Sequence, residues 1–278
     1  MNILLTGVST GIGLTTAKLL LECGHRVFGT VRKLSDAEHL SQHPAFSALK
    51  MDVTDRESIR SAIATIKASN VPLHAVINNA GVAISGPLET LAEEDYRWQL
   101  EVNVFGVMAV CQESLPLLHA AREAGETNVK IINVSSVSGH LANPFTSMYS
   151  ASKFALMAIT DGMRRELMPF GIDVVSISPG AVKTPIWKKA ETQTKAYVGT
   201  RYEFLLEKLI PYVRNAAAGG VAPEAVAELL LNTLVQDRPK TDQLIMNKAW
   251  MVRLVKLLPA RIVDKLTARN LASNKRYS

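Results

Sequence analysis

A strand-like run, a glycine-rich turn and a helix-like run open this chain, and few folds begin in that order. Residues 2–6 (NILLT) have the look of a short buried strand. Gly7-Val-Ser-Thr-Gly11-Ile-Gly13 follows, then the run LTTAKLLLECG ending at Gly24. Glycine accepts backbone angles closed to other residues and carries no Cβ, so the chain can turn sharply there and admit a ligand closely. Free N–H groups and the dipole at the start of the next helix attract an anion such as a pyrophosphate. The spacing is Gly-x-x-x-Gly-x-Gly, not the commoner Gly-x-Gly-x-x-Gly. A glycine turn alone can be structural. The flanking strand and helix favour a nucleotide site.

The same alternation continues along the chain. Strands are expected at 26–31, 46–51, 74–78, 129–134, 172–178 and 243–246. Helical patterns lie between them at about 55–69, 93–121, 147–169 and 223–236, with Asp55 and Pro223 as helix-start residues. This pattern predicts an α/β fold with a doubly wound parallel seven-stranded sheet and helices on both faces. The run from about 185 to 220 breaks the alternation and ends in Ala-Ala-Ala-Gly-Gly. It reads as a lid over the ligand crevice, hinged at Gly219-Gly220. The expected organisation is one catalytic domain over 1–246 and a C-terminal extension over 247–278.

That extension is where the charge lies. The net charge of +6 hides a segment from Asn247 onward that carries +7, leaving −1 for the rest. Its basic residues are Lys248, Arg253, Lys256, Arg261, Lys265, Arg269, Lys275 and Arg276, against one acid, Asp264. A basic tail on a nearly neutral domain argues against nucleic acid as a partner. Trp250 and a series of leucines are interspersed there, which suits either an interfacial helix broken at Pro259 or a tail packed on protein. The expected apolar side covers protein, with at most weak peripheral membrane contact. Cys23 and Cys111 are expected as buried free thiols in a reducing, cytoplasmic setting. The first strand starts at residue 2, so no leader peptide is expected, and no uninterrupted apolar run approaches the ~20 residues of a membrane span. The six histidines are scattered, so no metal site is expected.

Tyr149-Ser-Ala-Ser-Lys153 supplies the chemistry. Residues four apart share a helix face, and a fixed positive charge lowers the pKa of a nearby phenol. Such a pair can make a tyrosine a general acid or base near neutral pH. Thr6-Gly7-x-x-x-Gly11-Ile12-Gly13, Asn78-Asn79-Ala80-Gly81, Asn103, Ser136, Tyr149-x-x-x-Lys153 and Pro179-Gly180 stand in the order and spacing of the classical short-chain dehydrogenases/reductases. The resemblance spans roughly residues 1–246 and implies a Rossmann-type fold. The segments Thr30-Val-Arg32, Tyr149 to Leu156 and Met168 to Ile172 look most like the branch of 17β-hydroxysteroid and retinol dehydrogenases.

The resemblance implies hydride exchange between a nicotinamide and a carbinol carbon. Tyr149 would move the proton, Ser136 would hold the substrate oxygen, and Lys153 would lower the Tyr149 pKa and hold the nicotinamide ribose. Ser135 is the rival to Ser136, but neighbouring strand residues point to opposite faces. Asn103 would hold a water in a proton relay; the alternative is a residue that caps or kinks its helix. Gly7, Ser9, Thr10, Gly11, Ile12 and Gly13 would cradle the pyrophosphate. Asn79, Ala80 and Gly81 would line the adenosine ribose, and Asp52 and Val53 would flank the adenine, unless Asp52 is a turn cap. Pro179, Gly180, Val182 and Thr184 would form the nicotinamide-side loop.

The end of the second strand selects the dinucleotide. An acid there binds a ribose 2′-hydroxyl, and a basic residue accepts a 2′-phosphate. Thr30-Val31-Arg32-Lys33 offers no acid before Asp36, so NADP(H) is favoured through Arg32, with NAD(H) left open if these residues form only a solvated turn. Candidate pocket residues are His140, Leu141, Asn143, Phe145, Met148, Trp187, Tyr197, Tyr202 and Phe204, some of which would pack the lid. They suit a bulky lipophilic alcohol or ketone. Two other readings compete, a cofactor-sensing regulator without turnover and a peripheral membrane protein acting through its tail. The family resemblance also implies a homodimer or homotetramer through the helices at 93–121 and 147–169.

Overall fold

The computed structural model describes residues 1–193 and 197–271. The chain runs β1 (Asn2–Thr6), α1 (Gly11–Glu22), β2 (Arg26–Val31), α2 (Glu38–Ser41), β3 (Phe46–Lys50), α3 (Arg56–Ala68), β4 (Ala75–Asn78), α4 (Glu93–Leu100), α5 (Gly106–Glu123), β5 (Val129–Val134) and α6 (Ser147–Leu167). It continues through β6 (Ile172–Pro179), α7 (Ile186–Gln193), α8 (Leu206–Gly219), α9 (Pro223–Val235), β7 (Asp242–Ile245), α10 (Ala249–Leu257) and α11 (Ala260–Leu271). The seven strands form one sheet in the order β3-β2-β1-β4-β5-β6-β7, and every pairing is parallel.

Parallel strands covered on both faces read as continuous apolar runs, and alternate residues serve opposite cores. Leu4, Val76 and Ile131 pack with Ile59 of α3, Val110 of α5 and Leu156 of α6. Ile3, Leu5 and Ile77 pack on the other side with Leu20 of α1 and Leu230 of α9. Even Lys130 of β5 is buried; its ammonium donates to the carbonyls of Leu234 (3.3 Å) and Gln236 (2.8 Å) at the end of α9.

All seven expected strands are present, with bounds moved by at most one residue. Asp55 caps α3 by accepting from the Glu57 N–H at 3.0 Å, and Pro223 sits in the first turn of α9. The expected helix over 93–121 is interrupted by a π-helical turn, Glu101–Phe105. Its span Glu93–Glu123 is long and apolar enough to cross a membrane by length and composition, but Val107, Val110 and Leu118 bury against the sheet as in a core helix. Cys111 is buried, where desolvation pushes its thiol up to about 12. Cys23 is exposed, contrary to expectation: it caps the C-terminal end of α1 beside Gly24, beyond the side of that helix that faces the sheet.

The segment after β6 forms α7 and α8, and both its ends are fastened at one place. Val221 N–H donates to the Ala181 carbonyl (2.9 Å), and Lys183 N–H donates to the Val221 carbonyl (3.0 Å). Gly219 ends α8, and Gly220 has an extended backbone. The C-terminal extension breaks at Pro259 into α10 and α11, as the sequence predicts. Val252 is buried, but Trp250, Leu254 and Leu257 are exposed, so among the described residues only one side of α10 is covered. Lys275, Arg276 and the side chain of Arg253 lie outside the described residues.

Candidate active site

The turn after β1 is held open by its glycines. Gly7 and Gly11 have φ of 74° and 58°, in the left-handed region that side chains resist. A Cβ on Gly13 would lie 2.1 Å from the Gly7 carbonyl oxygen and 2.5 Å from Asn79 Nδ2. Gly7 and Val8 N–H groups both donate to the Thr30 carbonyl at 3.1 Å, which ties the turn to the end of β2. Asn79 Nδ2 donates to the carbonyls of Thr6 (2.9 Å) and Gly7 (3.0 Å). Thr6 Oγ1 accepts from the Asn79 and Ala80 N–H groups, each at 2.9 Å. Thr10 begins α1 without a side-chain capping bond. A cradle too tight for a Cβ, at a helix start with no capping side chain, fits a dinucleotide pyrophosphate.

The flanking positions follow. Arg32 is exposed one residue past β2, close to the Thr30 anchor of the glycine turn. Asp52 acts as a turn cap, with Oδ1 accepting from the Thr54 N–H (3.0 Å) and hydroxyl (2.8 Å). Val53 lies against Gly106, where an added Cβ would meet the Val53 carbonyl at 2.8 Å. Gly11 abuts Thr184, so the first turn and the loop after β6 meet. Trp187 is anchored by its indole N–H on the Val182 carbonyl at 2.7 Å.

Tyr149 and Lys153 share one face of α6, and Ser136 contacts the Tyr149 phenol from the end of β5. Lys153 is buried; its Nζ donates to the Val134 carbonyl at 3.0 Å and lies 6.0 Å from the centre of the Tyr149 ring. Burial pulls the Lys153 pKa down to about 8. Burial also raises the Tyr149 phenol above its ordinary value, and the contact with Ser136 opposes this only in part. The expected lowering of the Tyr149 pKa is therefore not found, because loss of solvent outweighs the contact with Ser136. Ser136 also accepts from the Ser138 N–H at 3.1 Å, whereas the rival Ser135 hydroxyl is buried without a partner.

Asn103 sits in the π-helical turn, a distortion common at functional positions. Its amide accepts from the Val82 N–H (2.9 Å) and donates to the Val82 carbonyl (2.8 Å) and Ser152 hydroxyl (3.0 Å). It thus braces the segment after β4 against α6.

Some of these groups line a cavity of ≈ 680 Å³. Ser136, Tyr149 and Lys153 meet there with Ile12, Asn79, Gly81, Pro179, Gly180, Val182 and Thr184. Of the expected substrate residues, Asn143, Phe145, Trp187 and Tyr197 line it. His140, Leu141, Met148, Tyr202 and Phe204 do not. His140 Nε2 instead pairs with the Ser178 hydroxyl at 3.0 Å and lies 3.6 Å from Asp242. Tyr202 donates to Glu89 at 3.0 Å, and Phe204 is exposed. Phe145 has φ of 64°, a strained angle for a bulky residue. Its ring stands edge-on to Tyr197 and Tyr202, with centroids 5.6 and 5.8 Å away. Sequence reasoning missed Gln193 and Thr267. Gln193 ends α7, accepts from the Ser85 N–H (3.1 Å) and hydroxyl (3.3 Å), and donates to the Ala83 carbonyl (3.3 Å). Thr267 brings α11 to the cavity wall.

Residues 1–195 match the family described as short chain dehydrogenase. The chain is 37% identical over 271 residues to an NADPH-dependent 3-dehydrocapnine reductase of Ornithobacterium rhinotracheale, covering 96% of this chain and 95% of that one. It is 40% identical over 182 residues to a 3-ketodihydrosphingosine reductase of Bacteroides thetaiotaomicron, covering 66% and 64% of the two chains. A short-chain dehydrogenase from Streptomyces avermitilis superposes with a TM-score of 0.78 at 26% identity, over 96% of this chain and 94% of that one. One from Burkholderia cenocepacia, in complex with NADP, superposes with a TM-score of 0.73 at 25% identity, over 98% of each. With the glycine turn, the parallel sheet and the Tyr149–Lys153 pair in place, this chain belongs to the short-chain dehydrogenase family.

Proposed function

We propose that the protein is an NADPH-dependent reductase that converts a carbonyl on a bulky lipophilic molecule to an alcohol. The observation that carries this reading is the meeting of Tyr149, Ser136 and Lys153 at the wall of one largely apolar cavity. The NADPH-dependent relative and the NADP complex support the choice of cofactor. The two relatives named for a 3-dehydro and a 3-keto substrate support a ketone. Turnover is tested by following NADPH absorbance with a panel of lipophilic ketones, including steroid and retinoid carbonyls. No consumption across the panel would remove the reading.

The glycine turn and the start of α1 would hold the pyrophosphate, Arg32 the 2′-phosphate, Asn79 to Gly81 the adenosine ribose, and Val182 with Thr184 the carboxamide. When bound, NADPH supplies the hydride. Tyr149 gives its proton to the substrate oxygen as charge develops there, and the Ser136 hydroxyl donates to the same oxygen. Lys153 places a buried positive charge beside them. Asn103 fixes the distance between the segment after β4 and α6. The residues of α7 and α8 that line the cavity keep water from the reacting centre.

Arg32→Ala is expected to weaken NADPH binding by about tenfold or more while leaving NADH almost unchanged, since a charge-assisted bond is lost only with the 2′-phosphate. The motivation is the exposed guanidinium just past β2. Fluorescence titration with both cofactors decides, and equal losses would make Arg32 a solvated turn residue. Subunit pairing through α5 and α6 belongs to the same proposal. Phe105, beside α5, and Phe154 on α6 are exposed, and light scattering that returns the mass of one chain would remove it.

A further inference from the structure

The C-terminal helices carry an apolar surface that the described chain does not cover. Trp250, Leu254 and Leu257 of α10 are 60%, 52% and 81% exposed, and their spacing puts them on one side of the helix. Val252, on the opposite side, is buried. Past Pro259, Ile262 and Leu266 of α11 are exposed as well. Lys256, Arg261, Lys265 and Arg269 stand exposed around these residues, and Asp264 is the one acid on the two helices. The inner side of α11 differs: Thr267 is half-buried and lines the cavity that holds Tyr149.

We infer that α10 and α11 dock on a lipid bilayer with anionic headgroups, and that a lipophilic ketone passes from the acyl layer to the cavity along α11. The second half rests on the reductase reading above. Leucines with a tryptophan inside a fringe of lysine and arginine match an interfacial helix, in which apolar insertion and headgroup attraction act together. The helices have 9 and 12 residues, too short to cross a bilayer that needs about 20, so they lie in its plane. A second copy is a poorer cover. A two-fold contact brings the same patch against itself, and here that sets basic side chains against basic side chains.

The test uses the full chain with vesicles of phosphatidylcholine, alone or mixed with phosphatidylglycerol, at about 0.15 M ionic strength. The wild type is expected to sediment with the mixed vesicles. Leu254→Glu/Leu257→Glu is expected to lose at least about tenfold in partitioning, because apolar insertion is replaced by charge repulsion. Both positions are exposed and outside the cavity, so its melting curve, its mass in solution and its rate on a water-soluble ketone should match the wild type. A ketone dissolved in the vesicles should be reduced several-fold faster by the wild type than by the variant. Wild type that stays in the supernatant, or a variant that partitions equally, overturns docking. A variant with a smaller mass in solution shows that a second copy covers the face and also overturns it. Equal rates on the vesicle-borne ketone overturn the delivery route. Sedimentation needs no turnover, so a chain that binds vesicles but reduces no ketone overturns the reductase reading and leaves docking intact.

Discussion

Replacing Tyr149 with phenylalanine is expected to cut kcat by about 10²–10⁴-fold, the usual worth of a positioned general acid, and to leave NADPH binding near the wild-type level. The ring keeps its place on α6, and only the hydroxyl in contact with Ser136 is lost. Because burial raises the phenol pKa, the proton is in place at neutral pH. The wild-type reduction rate should therefore stay level through neutrality and fall on the alkaline side, first as Lys153 loses its proton at about 8 and again as pH passes the raised value of the phenol. Stopped-flow or steady-state NADPH oxidation from neutral to alkaline pH measures both effects. A phenylalanine variant that turns over at the wild-type rate would end the assignment of Tyr149 as proton donor.

Lys153→Met should inactivate the enzyme and yet make the ligand-free protein more stable at pH 7. Burial takes the Lys153 pKa from 10.5 to about 8, so the folded state holds the charge less well than the unfolded chain. Below about 8 both states are protonated, and the fold bears the full penalty. Between about 8 and the unfolded value the folded protein sheds the proton first, so stability rises with pH. Relief is complete above the unfolded value. The size of the shift sets an upper figure of about 3 kcal/mol, and each kcal/mol is worth about 2–4 °C in Tm for a large domain. Methionine removes the charge, so the variant should melt several degrees higher at pH 7, with the gap closing toward pH 10. A variant that melts lower at pH 7 would mean that the bond from Lys153 to the Val134 carbonyl outweighs the burial of its charge.

Much of this architecture was legible because it depends on local chemistry. The strands announce themselves as apolar runs, and Gly7, Gly11 and Gly13 stand where turning and close approach exclude a side chain. Asp55 and Pro223 mark helix starts by bonding and ring geometry that act within one turn. The four-residue α2 is too short to carry a helical period. What stayed hidden depends on tertiary placement. His140 sits in the expected stretch but turns to Ser178 and Asp242, a choice made by a strand far along the chain. Thr267 reaches the cavity only because α11 folds back over it. The Tyr149–Lys153 spacing is plain in the sequence, but how dry the pair becomes is not, and dryness sets the direction of both pKa shifts.

The fastening of residues 181–183 to Val221 has an evolutionary meaning. A segment that leaves and rejoins the body at one knot is a module whose interior can be rewritten without altering the sheet it hangs from. Relatives that share the nucleotide half can then diverge in what they accept by exchanging this one cassette. Transplanting residues 185–220 between two such proteins should carry ligand preference with it and leave the host's dinucleotide affinity behind.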